Sequence, residues 1–95
     1  MDIHSESTDR LFRAILNLET LEECYDFFED LCTVKELKDL SQRLDVAFLL
    51  DDGKKYQEIF AETGASTSTI CRVNKCYLYG KDGYTKIINK MKGIK

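Results

Sequence analysis

Residues 66–75 contain the side chains of this chain that are best suited to bind an anion. Four hydroxyl residues, 66–69, are followed by two cations, and no acidic residue interrupts the run. Hydroxyl groups bond to base edges or phosphates, arginine reaches guanine O6 and N7 or a phosphate, and lysine reaches a phosphate. We therefore predict double-stranded DNA as the ligand. The predicted contact residues are Ser66, Thr67, Ser68, Thr69, Arg72 and Lys75, with Lys54 and Lys55 on the DNA backbone.

The spacing around Gly64 predicts that residues 56–77 form a helix-turn-helix. Two helices that cross at a steep angle need a glycine where the chain turns left-handed. The second helix, at about 66–77, would then present its polar face to the major groove, which is about 12 Å wide. Free amides at its start, those of Ser68 and Thr69, would also attract an anion. The residues predicted to face the crossing are Ile59, Phe60, the methyl group of Thr63, Ala65, Ile70 and Val73. Most helix-turn-helix sequences place an alanine at the position of Phe60, so either the crossing is wider here or Phe60 tilts out into a neighbouring core.

The same segment also fits a plainer interpretation. A Ser/Thr run after a glycine is an ordinary helix N-cap, and two cations are few for a nucleic-acid surface. The alternative is a helical protein-interaction module that keeps the fold without DNA binding and uses the acidic N-terminal half as its surface. The orientation of the second helix is decisive, because DNA binding requires Ile70 and Val73 inside and Thr67 and Arg72 outside.

Every periodic segment of the chain predicts a helix, six in all, so the expected fold class is all-α. Asp9 would cap the first helix and Thr20 the second. Residues 33–36, Thr-Val-Lys-Glu, form a capping box that starts the longest helix. Residues 51–53, Asp-Asp-Gly, would end that helix in a solvated turn. The last helix would run from about residue 82 to residue 92.

The longest predicted helix is apolar over more of its circumference than one packing partner requires. Such a helix lies at the centre of a core. In a chain of 95 residues, part of its cover can come from a second copy, so we expect a homodimer. The apolar residues of this helix are Leu37, Leu40, Leu44, Val46, Ala47, Phe48, Leu49 and Leu50.

Length and charge limit the possible functions. A chain of 95 residues allows one domain, 1–95. Residues 1–65 hold 16 acidic and seven basic residues, a net charge of −9, whereas residues 66–95 hold one and seven, a net charge of +6. This distribution argues against a protein that coats nucleic acid without sequence preference, but it permits a local anion-binding face. The polar N-terminus lacks signal-peptide features, and no apolar window approaches a membrane helix, so we expect a cytoplasmic protein without a membrane partner.

Side chains for catalysis or metal binding are sparse. The only histidine is His4, so the sequence offers no Ser/His/Asp set, and it contains no phosphate-binding loop. We therefore expect no enzyme. The cysteines lack the short spacing of zinc ligands, and we expect reduced thiols and no metal site. These cysteines are Cys24, Cys32, Cys71 and Cys76.

Segments beyond the helix-turn-helix add to the interpretation, notably Ser-Gln-Arg-Leu at 41–44 and the run from Gly64 to Asn74. With them the chain resembles the Trp repressor family, and segments 22–32 and 79–84 resemble its TrpR-like branch, the small bacterial proteins of the YerC/YecD type. The resemblance implies a six-helix fold, an intertwined homodimer and a repressor of transcription. Paired helix-turn-helix units would read half-sites about one helical turn apart.

The resemblance also implies a ligand pocket, because Thr33, Arg43 and Arg72 match positions that hold tryptophan in the Trp repressor. However, Val73 stands where the repressor keeps a glycine, and its side chain would crowd a flat indole ring. Cys76 likewise replaces a serine that helps to hold the ligand amine. We therefore expect no tryptophan co-repressor and no other cofactor, and the sequence names no effector.

Overall fold

The structure is a computed structural model that describes residues 2–93. Its helices are α1 (Glu6–Leu16), α2 (Leu21–Leu31), α3 (Val34–Asp51), α4 (Tyr56–Thr63), α5 (Thr67–Tyr79) and α6 (Gly83–Met91). No strand occurs within the described range, so the predicted all-α class with six helices is confirmed. The predicted domain 1–95 also includes Met1, Ile94 and Lys95, which lie outside the described residues.

The chain divides into two compact units, and the boundary between them lies inside α3. The first unit ends at Leu37 and contains α1, α2 and the first turn of α3. The second unit begins at Lys38 and contains the rest of α3 with α4, α5 and α6. That the whole chain acts as one domain stays a prediction.

The hydrophobic core belongs to the second unit and draws on all four of its helices. Fully burying a large aliphatic side chain contributes about 1.5–3 kcal/mol, so this core holds α4 and α5 firmly in place. Half-buried side chains of α3 and α6 pack against it, which confirms the central position predicted for the long helix. The buried residues are Val46, Ala47, Ile59, Ala65, Ile70, Val73 and Ile88.

The first unit is different, because neither α1 nor α2 contains a buried residue. Phe27 and Phe28 are half-buried, and their rings meet edge to face with centroids 5.6 Å apart. Large apolar side chains nevertheless remain exposed in both helices, among them Phe12, Leu16, Leu21 and Tyr25. The amphipathic patterns of α1 and α2 therefore produce apolar faces that stay open to solvent.

Hydroxyl side chains fix the starts of the first three helices. Thr20 caps α2 as predicted, and its Oγ1 accepts a hydrogen bond from the Glu23 amide at 3.1 Å. The capping box of α3 is likewise confirmed, with Thr33 as its first residue. The prediction for α1 was wrong, because Ser5 caps that helix and its Oγ accepts from the Thr8 amide at 3.0 Å. Asp9 instead lies within the first turn, where its charge suits the positive end of the helix dipole.

The end of α3 is closed by two backbone hydrogen bonds. The Gly53 amide donates to the Leu50 carbonyl, and the Lys54 amide donates to the Leu49 carbonyl, each at 3.0 Å. Gly53 has a φ of 78°, as this Schellman arrangement requires. The predicted end of the long helix is confirmed, and Lys54 is fixed directly behind it.

Within the described part of the chain, none of the helices combines the length and apolar character needed to cross a membrane. The four cysteines are free thiols, with Cys71 and Cys76 exposed on α5. Among residues 2–93, no three His, Cys, Asp or Glu side chains are grouped as metal ligands.

Candidate nucleic-acid interface

Gly64 makes the turn between α4 and α5. Its φ of 72° is in the left-handed region, where a side chain would be strained. The Gly64 amide donates to the Phe60 carbonyl at 2.9 Å, and the Ala65 amide donates to Thr63 Oγ1 at 3.1 Å. The joint is therefore closed by its own hydrogen bonds, and α5 leaves α4 in a fixed direction.

The inner face of the helix-turn-helix is closely packed. Ile59 is fully buried, and Ala65, Ile70 and Val73 are each 1% exposed. Thr67 and Arg72 are exposed. The orientation on which the DNA-binding prediction depends is therefore present, since the aliphatic side chains of α5 lie inside and its polar side chains lie outside.

Phe60 is the exception, and its predicted inward position was wrong. The side chain is 58% exposed. Successive residues of an α-helix are about 100° apart around its axis, so Ile59 and Phe60 cannot both face the core. Ile59 takes the buried position, and Phe60 lies on the outer flank of α4.

The outer face of α5 has the composition predicted for binding DNA. Exposed hydroxyl residues lie at and next to its N-terminus, and Arg72 and Lys75 are exposed further along. Thr69 is half-buried. No acidic residue occurs between Glu62 and Asp82, so no carboxylate within this stretch opposes an approaching phosphate. The exposed polar residues of this face are Ser66, Thr67, Ser68, Arg72 and Lys75.

One detail of the α5 N-terminus differs from the prediction. The Thr69 amide is not free, because it donates to Ser66 Oγ at 3.2 Å, and Ser66 Oγ donates to Thr69 Oγ1 at 3.1 Å. Ser66 is thus a helix cap as well as a predicted contact residue. The amides of Thr67 and Ser68, in the first turn, are the ones that an α-helix leaves without internal acceptors.

Lys54 and Lys55 precede α4, and their side chains are exposed. The Lys55 amide donates to Glu58 Oε1 at 3.0 Å, while the Lys54 amide belongs to the end of α3. The backbone of both lysines is therefore held in place, and their ammonium groups are available to an anion.

Two polar ties between α3 and the helix-turn-helix were missed from the sequence. Gln42 Nε2 donates to the Thr63 carbonyl at 3.1 Å, directly before the joint. Asp51, at the end of α3, accepts a hydrogen bond from the hydroxyl of Tyr77 on α5 at 2.7 Å. Gln42 does lie in the Ser-Gln-Arg-Leu segment that carried the family resemblance, but no local pattern reveals its partner.

The predicted turn after Asp51 is present and Asp52 is exposed, but the ion pairs of the two carboxylates were not predicted. Lys92 Nζ donates to Asp51 Oδ2 at 2.8 Å and to Asp52 Oδ1 at 2.7 Å. The pKa of the Asp51 carboxyl is lowered by the Lys92 hydrogen bond and then by that of Tyr77, while the bond to Asp51 raises the pKa of Tyr77. We call Asp51, Asp52, Tyr77 and Lys92 the carboxylate clip. It joins α3, α5 and the residue that follows α6.

Known proteins show the same arrangement of helices. The sequence profile described as Trp repressor protein matches residues 6–92 of this chain. The chain belongs to the Trp repressor family.

Relatives of this Trp repressor family member cover nearly its whole length. The uncharacterized protein YerC of Bacillus subtilis (strain 168) is 49% identical over 90 residues, which are 95% of this chain and 86% of YerC. A crystal structure from Staphylococcus aureus has a TM-score of 0.92 at 50% identity and covers 95% of this chain and 90% of its own. The crystal structure of a TrpR-like protein from Eubacterium eligens ATCC 27750 has a TM-score of 0.93 at 44% identity, over 98% and 96% of the two chains. The predicted resemblance and six-helix fold are thereby confirmed.

In this Trp repressor family member, Arg43 and Arg72, two of the predicted pocket residues, lie in the second unit near Tyr84. Burial raises the pKa of the Tyr84 phenol, Cys76 adds to the increase, and both guanidinium groups oppose it. The charges of both arginines therefore act on one half-buried phenol. Val73, next to Arg72, is packed into the core.

Thr33, the third predicted pocket residue, lies in the first unit, and its polar groups have local partners. Its Oγ1 accepts from the Glu36 amide at 3.1 Å, and its own amide donates to Glu36 Oε1 at 2.9 Å. Thr33 therefore acts as the cap of α3. The pocket, and the absence of a tryptophan co-repressor, stay predictions.

Proposed function

We propose that this protein is a sequence-specific, DNA-binding regulator of transcription that acts as a homodimer. Helix α5 reads the major groove, and Lys54 and Lys55 contact the phosphate backbone. The observation that carries the proposal is the orientation of α5. Ile70 and Val73 anchor this helix in the core, and its hydroxyl and cationic side chains face solvent.

The charge distribution supports a local contact with DNA. The chain has a net charge of −3, so general attraction to nucleic acid is weak. Residues 63–81 nevertheless contain Arg72, Lys75 and Lys81 and no acid. We propose that this cationic segment supplies the local attraction that brings α5 to the duplex.

The open apolar faces of the first unit support the dimer. Helices α1 and α2 bury none of their residues, yet they expose Phe12, Leu16, Leu21 and Tyr25. A second copy presents the same apolar side chains, and a two-fold interface between identical surfaces is the commonest way to cover them. Dimers of helix-turn-helix proteins bind half-sites about 34–36 Å apart, one turn of the duplex.

Selection of bound fragments from genomic DNA tests the proposal and identifies the half-sites. On the selected duplex, Arg72→Ala is expected to weaken binding by about 1–3 kcal/mol if Arg72 contacts a base. If Lys75 contacts a phosphate, Lys75→Ala makes the negative slope of log K against log salt shallower by about 0.9. Arg10→Ala, an exposed cation of α1, is the matched control and leaves both quantities unchanged.

Two outcomes would contradict parts of the proposal. A wild-type protein without salt-dependent affinity for any genomic duplex would overturn DNA binding and favour the protein-interaction module. We propose no tryptophan co-repressor, because Val73 stands where the Trp repressor keeps a glycine and its side chain would crowd an indole ring. An increase in DNA affinity on addition of L-tryptophan would therefore overturn that assignment alone.

A further inference from the structure

We propose that the carboxylate clip is a positioning device that fixes the angle of α5 and thereby selects the half-site spacing that the dimer reads. The inference rests on the proposed function and extends it to residues that do not face the DNA. Its members come from three places in the chain: the end of α3, the C-terminal part of α5 and the residue after α6.

Both oxygens of Asp51 are engaged. Oδ1 accepts from the Tyr77 hydroxyl at 2.7 Å, and Oδ2 accepts from Lys92 Nζ at 2.8 Å. The Asp51 side chain is 19% exposed and that of Lys92 is 30% exposed, so the pair lies at the surface and is only partly covered by its neighbours. Asp51 thus holds α5 on one side and the end of α6 on the other.

Electrostatics explain why Lys92 is required. Two adjacent carboxylates at the C-terminal end of a helix repel one another and also oppose the negative end of the helix dipole. Lys92 compensates both, because its ammonium group bonds to Asp51 and Asp52 together. The same ammonium group lies 6.0 Å from the centroid of the Phe48 ring, a favourable cation–π distance. Removal of the Lys92 charge leaves the two carboxylates unbalanced beside Tyr77.

Helix α3 holds the helix-turn-helix at two separate points. Gln42 binds the Thr63 carbonyl at the joint, and Asp51 binds Tyr77 near the far end of α5. The two anchors, Gln42 and Asp51, are nine positions apart on α3, so they are separated by about 13.5 Å along the helix axis. The joint and the core residues Ile70 and Val73 hold the first two turns of α5, and the second anchor restrains the C-terminal part of the helix.

Small rotations of α5 change the half-site separation that a DNA-binding dimer prefers. A helix of 13 residues is about 20 Å long. A swing of about 10° about the joint moves its far end by roughly 3.4 Å, the rise of one base-pair step. Loss of the clip therefore alters the spacing between half-sites that the dimer prefers, while every side chain that faces the DNA is retained.

The test uses three variants and one control on the selected duplex. Tyr77→Phe removes the hydroxyl alone, Lys92→Gln removes the charge, and Lys92→Arg restores a cation. Lys90→Gln removes an exposed cation from the last turn of α6 and is the matched control. For each protein, affinity is measured on duplexes whose half-site separation is native or altered by one base pair, over a range of salt concentrations.

We expect Tyr77→Phe and Lys92→Gln to weaken binding at the native spacing by roughly 2- to 30-fold. Both variants should also lose part of the discrimination against altered spacings. The salt slope should stay unchanged, because no phosphate contact is lost. Lys92→Arg and Lys90→Gln should bind like the wild type.

Four results would overturn the inference. Variants that unfold at lower temperature but keep the wild-type spacing preference would show a purely structural clip, and a reduced salt slope for Lys92→Gln would make Lys92 a phosphate contact. If wild-type protein binds DNA and the clip variants are indistinguishable from it, only the clip fails. If wild-type protein binds no duplex, the proposed function fails. The clip can still be tested without DNA, because amide exchange in residues 74–79 measures whether Tyr77→Phe loosens α5. Unchanged exchange there would show that the clip does not hold the helix.

Discussion

Individual residues of α5 divide into those that hold the helix and those that can reach a ligand. Ile70 is packed in the core, whereas Thr67, three positions earlier, is exposed. We therefore expect a substitution at Ile70 to act on stability and a substitution at Thr67 to act on the proposed DNA binding. The same division separates Val73 from Arg72, although these residues are adjacent in the chain.

We expect Ile70→Ala to lower the stability of the fold and Thr67→Ala to lower the affinity for DNA. Ile70→Ala leaves a cavity in the core and should lower the free energy of unfolding by about 2–5 kcal/mol, measured by urea denaturation. Thr67→Ala should change that free energy by less than about 0.5 kcal/mol and should weaken binding to the selected duplex. Wild-type stability of Ile70→Ala would contradict the packing, and wild-type DNA affinity of Thr67→Ala would remove Thr67 from the interface.

At the scale of the elements, many of the side-chain hydrogen bonds lie at the ends of the helices. Thr33 and Glu36 start α3 reciprocally, Ser66 starts α5, and Gly80 ends it. These residues decide where each helix begins and ends, and so they decide which face its side chains present. Their contributions are testable one at a time, because each acts on one helix end.

The capping box of α3 should make stability depend on pH. The pKa of Glu36 lies below its ordinary value of 4.5, because the Thr33 amide and then the Thr33 hydroxyl bond to the carboxylate. A carboxyl whose pKa is lower in the folded chain stabilises the fold above its unfolded pKa, and this stabilisation disappears as the pH falls through the folded value. The stability difference between wild type and Glu36→Gln should therefore change between pH 6 and pH 2, measured by thermal unfolding. A constant difference would contradict the role of the ionised carboxylate.

Gly80 and Gly83 offer a matched pair at the junction of α5 and α6. A Cβ atom at Gly80 would collide with the Cys76 carbonyl oxygen, whereas a Cβ at Gly83 would meet no atom within 4 Å. Gly80→Ala should therefore destabilise the protein by about 1–3 kcal/mol. Gly83→Ala, at the start of α6, should be neutral or stabilising by up to about 1 kcal/mol. Equal unfolding midpoints for the two variants would contradict the close approach at Gly80.

At the scale of the whole molecule, burial is concentrated in one of the two units. Among residues 2–93, the seven buried residues all belong to the second unit, and they support the helix-turn-helix directly. The first unit supplies open apolar faces instead. In the proposed dimer those faces would be covered, and two copies of α5 would be paired.

Substitution on α1 tests the dimer. Phe12→Ser removes an exposed aromatic side chain from the apolar side of the helix, and Arg10→Ser changes its polar side. Phe12→Ser should raise the dissociation constant of the dimer in sedimentation equilibrium, while Arg10→Ser leaves it unchanged. Wild-type protein that remains monomeric at high concentration would contradict the proposed assembly.

Much of the fold could be predicted because its signals are local. The capping box at Thr33 and the left-handed turn at Gly64 involve residues next to one another in the chain. The burial of Ile70 and Val73 follows from their spacing along one helix. Phe60 was misplaced because the pattern Ile-Phe offers two apolar residues for one inward position, and the sequence does not say which of them the helix turns toward the core.

The sequence by itself determined the six helices, the apolar side of α5 and the membership of a family, since these depend on contacts between residues a few positions apart. Only the tertiary structure decided the partners of Gln42 and of the two aspartates. The Tyr77 partner of Asp51 lies 26 positions away and its Lys92 partner 41 positions away. Such pairs form only where helices cross, and the crossing angles depend on how the whole core packs, which no local period encodes.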